Sequence, residues 1–125
     1  MSKPRELHLG DWNNMVHAFH AESDRGAAVL AGGFVEHVLG FYLRAMSAVP
    51  SAAEELFSPL GPLSSFSQRS TVGYAFGLFR ESYYHDLTCI RRIRNHFAHH
   101  PLDTTFTTKE VAELAKKAFD VSNGW

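Results

Sequence analysis

Arg94, Asn95 and His99 fall within six residues of one another, and phosphate chemistry uses all three side-chain types. An arginine grips a phosphate through its planar fork. A histidine moves a proton near neutral pH. In such a reaction Arg94 binds the phosphate or stabilises charge developing on it. His99 serves as general acid or base on a ribose hydroxyl or a leaving oxygen. Asn95 orients His99 or the substrate, and no metal is required. Asn95 and His99, four apart, share a face of a helix. Arg94 lies about 100° round from Asn95, yet its long side chain reaches across. The helix dipole favours a charged His99 in the last turn before Pro101, and the nearby arginines oppose it.

One copy of this set is thin for an active site. A two-fold dimer that pairs two such helices supplies two arginines and two histidines, hence one base and one acid. The Arg94 face is then the dimer interface. Arg91, Arg92, Arg94, His96, His99 and His100 form one basic segment. The candidate binding set is Arg91, Arg94, Asn95 and His96, with Asp24 and Glu36. A purely structural alternative has Arg94 paired with Glu36 or Asp86, and Asn95 and His99 satisfying backbone groups at the helix end.

Other constellations are weaker. Asp24 suits the first turn of a helix electrostatically; lining a cleft with Arg94 is its second reading. Glu36, Gly40 and Arg44 are spaced by four, which reads as a solvated stripe ahead of a partner for Arg94. His96 and His100 have the spacing of a shared metal, but no clear third and fourth ligand follows. No metal site and no cofactor are expected. His85-Asp86 reads as a capping pair, His17 and His20 as surface residues. Tyr83 and Tyr84 are expected to close over the loop at Pro59 to Pro62. The phosphate-loop, dinucleotide-binding and nucleophile-elbow signatures are absent. Cys89, on an apolar stripe, reads as core.

The elements that position these residues are helical. Strand alternation is almost absent, while helical periodicity appears five times. Asp11 can cap a first helix carrying Trp12, Met15, Val16 and Phe19. Ser23 can cap a second, running to about Ala48, with Ala27, Leu30, Phe34, Val38, Phe41 and Ala45 on its apolar side. Gly32-Gly33 weakens it by propensity but lets another helix approach. Pro50 ends it. Ser51 to Glu54 matches a capping box for a single turn through Phe57. Pro59, Gly61 and Pro62 force a loop. Ser65 to Gln68 matches another box, opening a helix with Val72, Ala75, Phe76 and Phe79 inward. Ser82 caps the next, with Leu87, Ile90, Ile93 and Phe97 inward. Thr107 to Glu110 opens the last, with Val111, Leu114, Ala115 and Ala118 inward, and Asn123-Gly124 stops it. The expected fold is an all-α bundle of about five helices around one core, one domain over residues 1–125.

Composition agrees. The chain is 45% hydrophobic and 20% charged, as folded globular proteins are. A net charge of −1 gives no general attraction for nucleic acid. The lone Cys89 suits a reducing cytoplasm. The N-terminus lacks the apolar core of a signal peptide, and no apolar run approaches the roughly 18 residues of a membrane span. These features read as a cytoplasmic, bacterial protein without membrane contact.

The stretch Arg94 to His99 resembles the Arg-x4-His signature of HEPN domains, the higher eukaryotes and prokaryotes nucleotide-binding superfamily. Ser23 to Ala28, Gly61 to Ser67, and Tyr84-His85-Asp86-Leu87 running on to Ile93 to His99 together resemble the mannitol operon repressor (MltR-like) family. That resemblance implies an all-helical fold with no winged or helix-turn-helix reader. It implies a regulatory role in bacterial sugar-alcohol use, exerted through a protein partner or RNA. The HEPN resemblance implies metal-independent endoribonuclease activity in many members, with Arg94, Asn95 and His99 carried over, and scaffolding in others. Three readings follow, in order: a dimeric repressor-type regulator, a ribonuclease, and a non-catalytic homodimeric scaffold. Direct sequence-specific DNA binding ranks last, because no recognition helix with a basic flank is evident.

Overall fold

Helix boundaries follow hydroxyls, prolines and glycines more than propensity. The computed structural model describes residues 9–118, with side chains from residue 13 onward. Six α-helices lie among them: α1 Leu9–Ala21, α2 Asp24–Ala45, α3 Pro50–Leu56, α4 Phe66–Ala75, α5 Glu81–His99 and α6 Lys109–Ala118. There is no strand among the described residues, so the all-α expectation holds. The sixth helix is α3, a full helix where a single turn was expected.

Ser23 caps α2, its Oγ accepting from Gly26 N at 3.1 Å. Ser65 and Gln68 form a complete capping box at α4. Other starts differ from expectation. The chain is already helical at Leu9, so Asp11 lies inside α1 rather than capping it. α2 stops at Ala45, and Pro50 opens α3 instead of closing α2. Proline's fixed φ and missing N–H suit that first helical position. Val49 is therefore the cap residue, and the Ser51 box does not form. α5 begins one residue before Ser82, with Arg80 at its cap position. The expected stop at Asn123-Gly124 lies outside the described residues.

α5 is the hub: it packs on α2, α4 and α6, while α2 also packs on α1 and α4. One apolar cluster joins Ala28 to Cys89, Ile93 and Phe97 and to Val111, Leu114 and Ala118. A second joins Leu39, Leu43, Phe57 and Leu63, with Val72, Phe79 and Leu87 against it. The buried line of α2 is Ala27, Ala28, Gly32, Leu39, Gly40 and Leu43, displaced from the expected stripe; Ala45 is exposed. Neighbours on both sides explain this, since α2 needs apolar side chains around most of its circumference. By length and composition alone α2 would also qualify as a membrane span, with a mean hydropathy of 1.4. About 33% of that stretch is buried, and the helix packs on α1, α4 and α5.

Phe76, expected inward, is 76% exposed. α4 ends one residue earlier, and the chain reverses at Gly77, whose φ is 69°. Phe79 then folds back onto Gly73, where a Cβ would collide with its ring. The tyrosines also depart from expectation: Tyr84 stacks on Tyr74 at 4.6 Å rather than closing over the proline loop.

The glycine pair in α2 divides cleanly. A Cβ on Gly32 would sit 2.7 Å from Cδ of Arg94, whereas Gly33 is exposed with nothing within 4 Å. Gly33→Ala is therefore expected to stabilise the fold by about 0.5–1 kcal/mol, the helix-propensity difference. Urea unfolding checks this, and no gain would show a hidden contact at that position.

Candidate functional site: the α5–α6 cleft

α5 presents the Arg94 to His99 motif on two different faces. Five residues along an α-helix amount to a rotation of about 140°. Arg94 accordingly turns toward α2 and α4, and His99 turns toward α6.

On the inner side, Arg94 Nη1 donates to Glu36 Oε2 at 2.9 Å. Its guanidinium lies 5.3 Å from the centre of the Phe66 ring, and its stem packs on Gly32. Glu36 is thus a partner for Arg94, not the solvated stripe that spacing suggested. Arg69 completes this junction, and sequence reading missed it. Its Nε donates to Leu63 O at 2.7 Å and its Nη1 to Glu36 O at 3.1 Å. Burial pushes the Arg69 guanidinium down, opposed by the Glu36 charge, but an arginine stays charged under all ordinary conditions.

On the outer side, Asn95 and His99 line a cleft of about 370 Å³ together with Arg92, His96 and His100 from α5. Glu110, Glu113, Leu114 and Lys117 of α6 form the opposite wall. His99 is exposed. His96 Nδ1 lies 3.2 Å from Glu110 Oε2, and His96 stacks on His100 at 4.5 Å between ring centres. Among the described residues no three His, Cys, Asp or Glu side chains converge as a metal would require.

Asp24 and Arg25 act at a distance from this cleft but hold its frame. Asp24 Oδ2 accepts from Phe106 N at 3.1 Å, and Arg25 Nη1 donates to Pro101 O at 3.4 Å. Together they tie the α5–α6 loop to the start of α2. Capping falls to Ser23, and Asp24 does not line a cleft with Arg94. Arg91 is half-buried and outside the cleft lining. His85-Asp86 lies within the first turns of α5, and Asp86 is buried, so the pair caps nothing. His17 and His20 are exposed, as expected.

The cleft therefore exchanges Arg94 for Arg92 and Lys117. Their spacing carried a signal: Arg92, Asn95, His96 and His99 run i, i+3, i+4, i+7, and Glu110, Glu113 and Lys117 run i, i+3, i+7. Only the pairing of α5 with α6 makes them one site.

Cys89 faces the core. Burial pushes its thiol up, and the Asp86 charge acts in the same direction. The fold thus holds the thiol proton more tightly than the unfolded chain does. The resulting stability is present in full below the unfolded thiol value, about 8.5, and is lost as pH rises beyond it. Unfolding free energy should fall above that pH in the parent and stay flatter in Cys89→Ala. A thiol reagent should modify Cys89 only on unfolding; fast labelling of the native protein would contradict its burial.

A family model described as mannitol repressor matches residues 34–124, well over half of the chain and including both walls of the cleft. No curated protein and no solved structure matches it.

Proposed function

The chain belongs to the mannitol repressor family, and from that premise we propose a regulatory protein that acts by holding a protein partner in the α5–α6 cleft. The observation that carries this reading is the mixed sign of the lining. Arg92 and the imidazoles of α5 line one wall, and Glu110 and Glu113 stand with Lys117 on the α6 wall. Such a surface complements another protein's alternating charges. It is poorly suited to a polyanion, whose phosphates the two carboxylates repel. The arginine most suited to phosphate, Arg94, is engaged by Glu36 inside the chain. The basic segment of α5 shares its cleft with Glu110 and Glu113 of α6, which oppose a DNA backbone, so repression through a partner fits better than direct DNA reading. The working unit in this reading is a homodimer, the commonest closed assembly, which sedimentation would test.

Affinity capture with the full chain, quantified against Arg92→Ala and Lys117→Ala, tests the proposal. A partner retained by the parent and lost by both variants supports it. A partner retained equally by all three places binding elsewhere.

A second reading has one observation in its favour. Asn95 and His99 both line the cleft, and His99 is exposed there. This suits the metal-independent ribonuclease chemistry of HEPN domains, with the arginine role passing to Arg92 or to a dimer partner. RNA cleavage that survives EDTA and disappears in His99→Ala would establish it. Absence of cleavage would leave the partner-binding reading.

A further inference from the structure

Arg44 and Arg69 set two positive charges against one aromatic ring. The Arg44 guanidinium lies 4.6 Å from the centre of the Phe57 ring and the Arg69 guanidinium 5.2 Å from it. α2 brings both to one stripe. Arg69 Nη1 bonds to Glu36 O and lies against Gly40, where a Cβ would sit 3.0 Å from it. Arg44 is one turn further along the same stripe. Burial pushes the Arg69 guanidinium down, Glu36 opposes that, and the Arg44 charge adds to the push, so the two cations are close enough to repel.

Such a pair is costly unless an opposite charge meets it. Glu36 gives its carboxylate to Arg94 at 2.9 Å, and among the described residues neither Arg44 nor Arg69 is in an ion pair. Arg69 places Nε and Nη1 on the carbonyls of Leu63 and Glu36. Arg44 Nε is buried without a partner, but both Nη nitrogens of Arg44 and Nη2 of Arg69 keep contact with solvent. Three donor nitrogens on two guanidiniums are therefore free and reachable.

We propose that Arg44 and Arg69 together bind a phosphate group, either the free ion or a small monoester. The guanidinium fork matches phosphate geometry. A dianion balances both cations, whereas a carboxylate balances one. The Phe57 ring already orders both side chains, so less freedom is lost on binding. Neither arginine lines the α5–α6 cleft, so this site stands apart from the partner-binding reading.

NMR titration of the full chain with inorganic phosphate, methyl phosphate and acetate at fixed ionic strength tests this, followed on the arginine Nε–H signals. Phosphate should bind saturably. Acetate should bind at least about ten-fold more weakly, the equivalent of one charge-assisted hydrogen bond. Arg44→Gln should weaken phosphate binding by at least as much, Arg44→Lys by less, and Arg92→Ala should leave it unchanged. Methyl phosphate binding as tightly as phosphate assigns the site to a monoester, and its rejection assigns the site to the free ion. Arg44 makes no hydrogen bond to the described residues, so Arg44→Gln should fold, which circular dichroism checks. If it misfolds, the preference for phosphate over acetate and the Arg92→Ala result decide the matter. No saturable phosphate binding, acetate as tight as phosphate, unchanged binding by folded Arg44→Gln, or loss in Arg92→Ala would overturn the proposal.

Discussion

Phe97→Ala is expected to lower the unfolding free energy by about 3–5 kcal/mol, the usual cost of emptying a fully buried aromatic site. Phe97 is 0% exposed. It sits in the cluster that joins α5 to α6 and meets the Phe106 ring edge-on at 5.3 Å. A domain's whole stability is typically about 5–15 kcal/mol, so this one change would remove a large share of it. The surviving folded fraction should also lose α6 first, because Val111 and Leu114 lean on the same ring cluster. Hydrogen exchange should then show α6 amides opening while α2 amides stay protected. Phe97→Leu keeps most of the volume and should cost much less. A loss under about 1 kcal/mol for the alanine variant would mean that the site collapses easily and that the α5–α6 wall is not built on Phe97.

Helix existence and the local caps were legible in the residues. Ser23 and the Ser65–Gln68 box are complete in four residues of sequence, and both form as spaced. Ser51 and Ser82 carry similar signals and fail for reasons a few residues away: Pro50 takes the first helical position, and Glu81 is drawn into α5. The inward face of α6 was legible because that helix has one partner face, Val111, Leu114 and Ala118. The faces of α2 and α4 were not, because α2 has neighbours on two sides and Phe79 returns over Gly73 from beyond a turn. The site divides in the same manner. Asn95 and His99 share a face by helix geometry alone. Whether Glu36 meets solvent or Arg94 depends on how closely α2 approaches α5, and that approach runs through the missing side chain of Gly32. Arg92 and Lys117 become neighbours only through the α5–α6 pairing.

Arg94→Ala is expected to cost about 2 kcal/mol of stability while leaving the cleft's partner binding unchanged per folded molecule. A hydrogen bond to a charged group is worth about 1.5–3 kcal/mol. Solvent reduces that here, since the side chains of Arg94 and Glu36 are 24% and 26% exposed. The lost stem packing on Gly32 and the lost cation–π contact with Phe66 add to it. Arg94→Lys should recover only part, because an ammonium lacks the planar fork that bonds Glu36 while stacking on a ring. Glu36→Gln should cost less than Arg94→Ala, because it keeps an acceptor for the guanidinium and leaves Arg94 in place. His99→Ala should do the opposite of Arg94→Ala: little change in the unfolding curve, since His99 is exposed, with a clear loss of whatever the cleft binds. Urea midpoints and binding isotherms measured on the same preparations separate the two patterns. If Arg94→Ala unfolds like the parent but loses partner binding or RNA cleavage, Arg94 works outward across a dimer, and its bond to Glu36 is a resting arrangement that substrate or partner displaces.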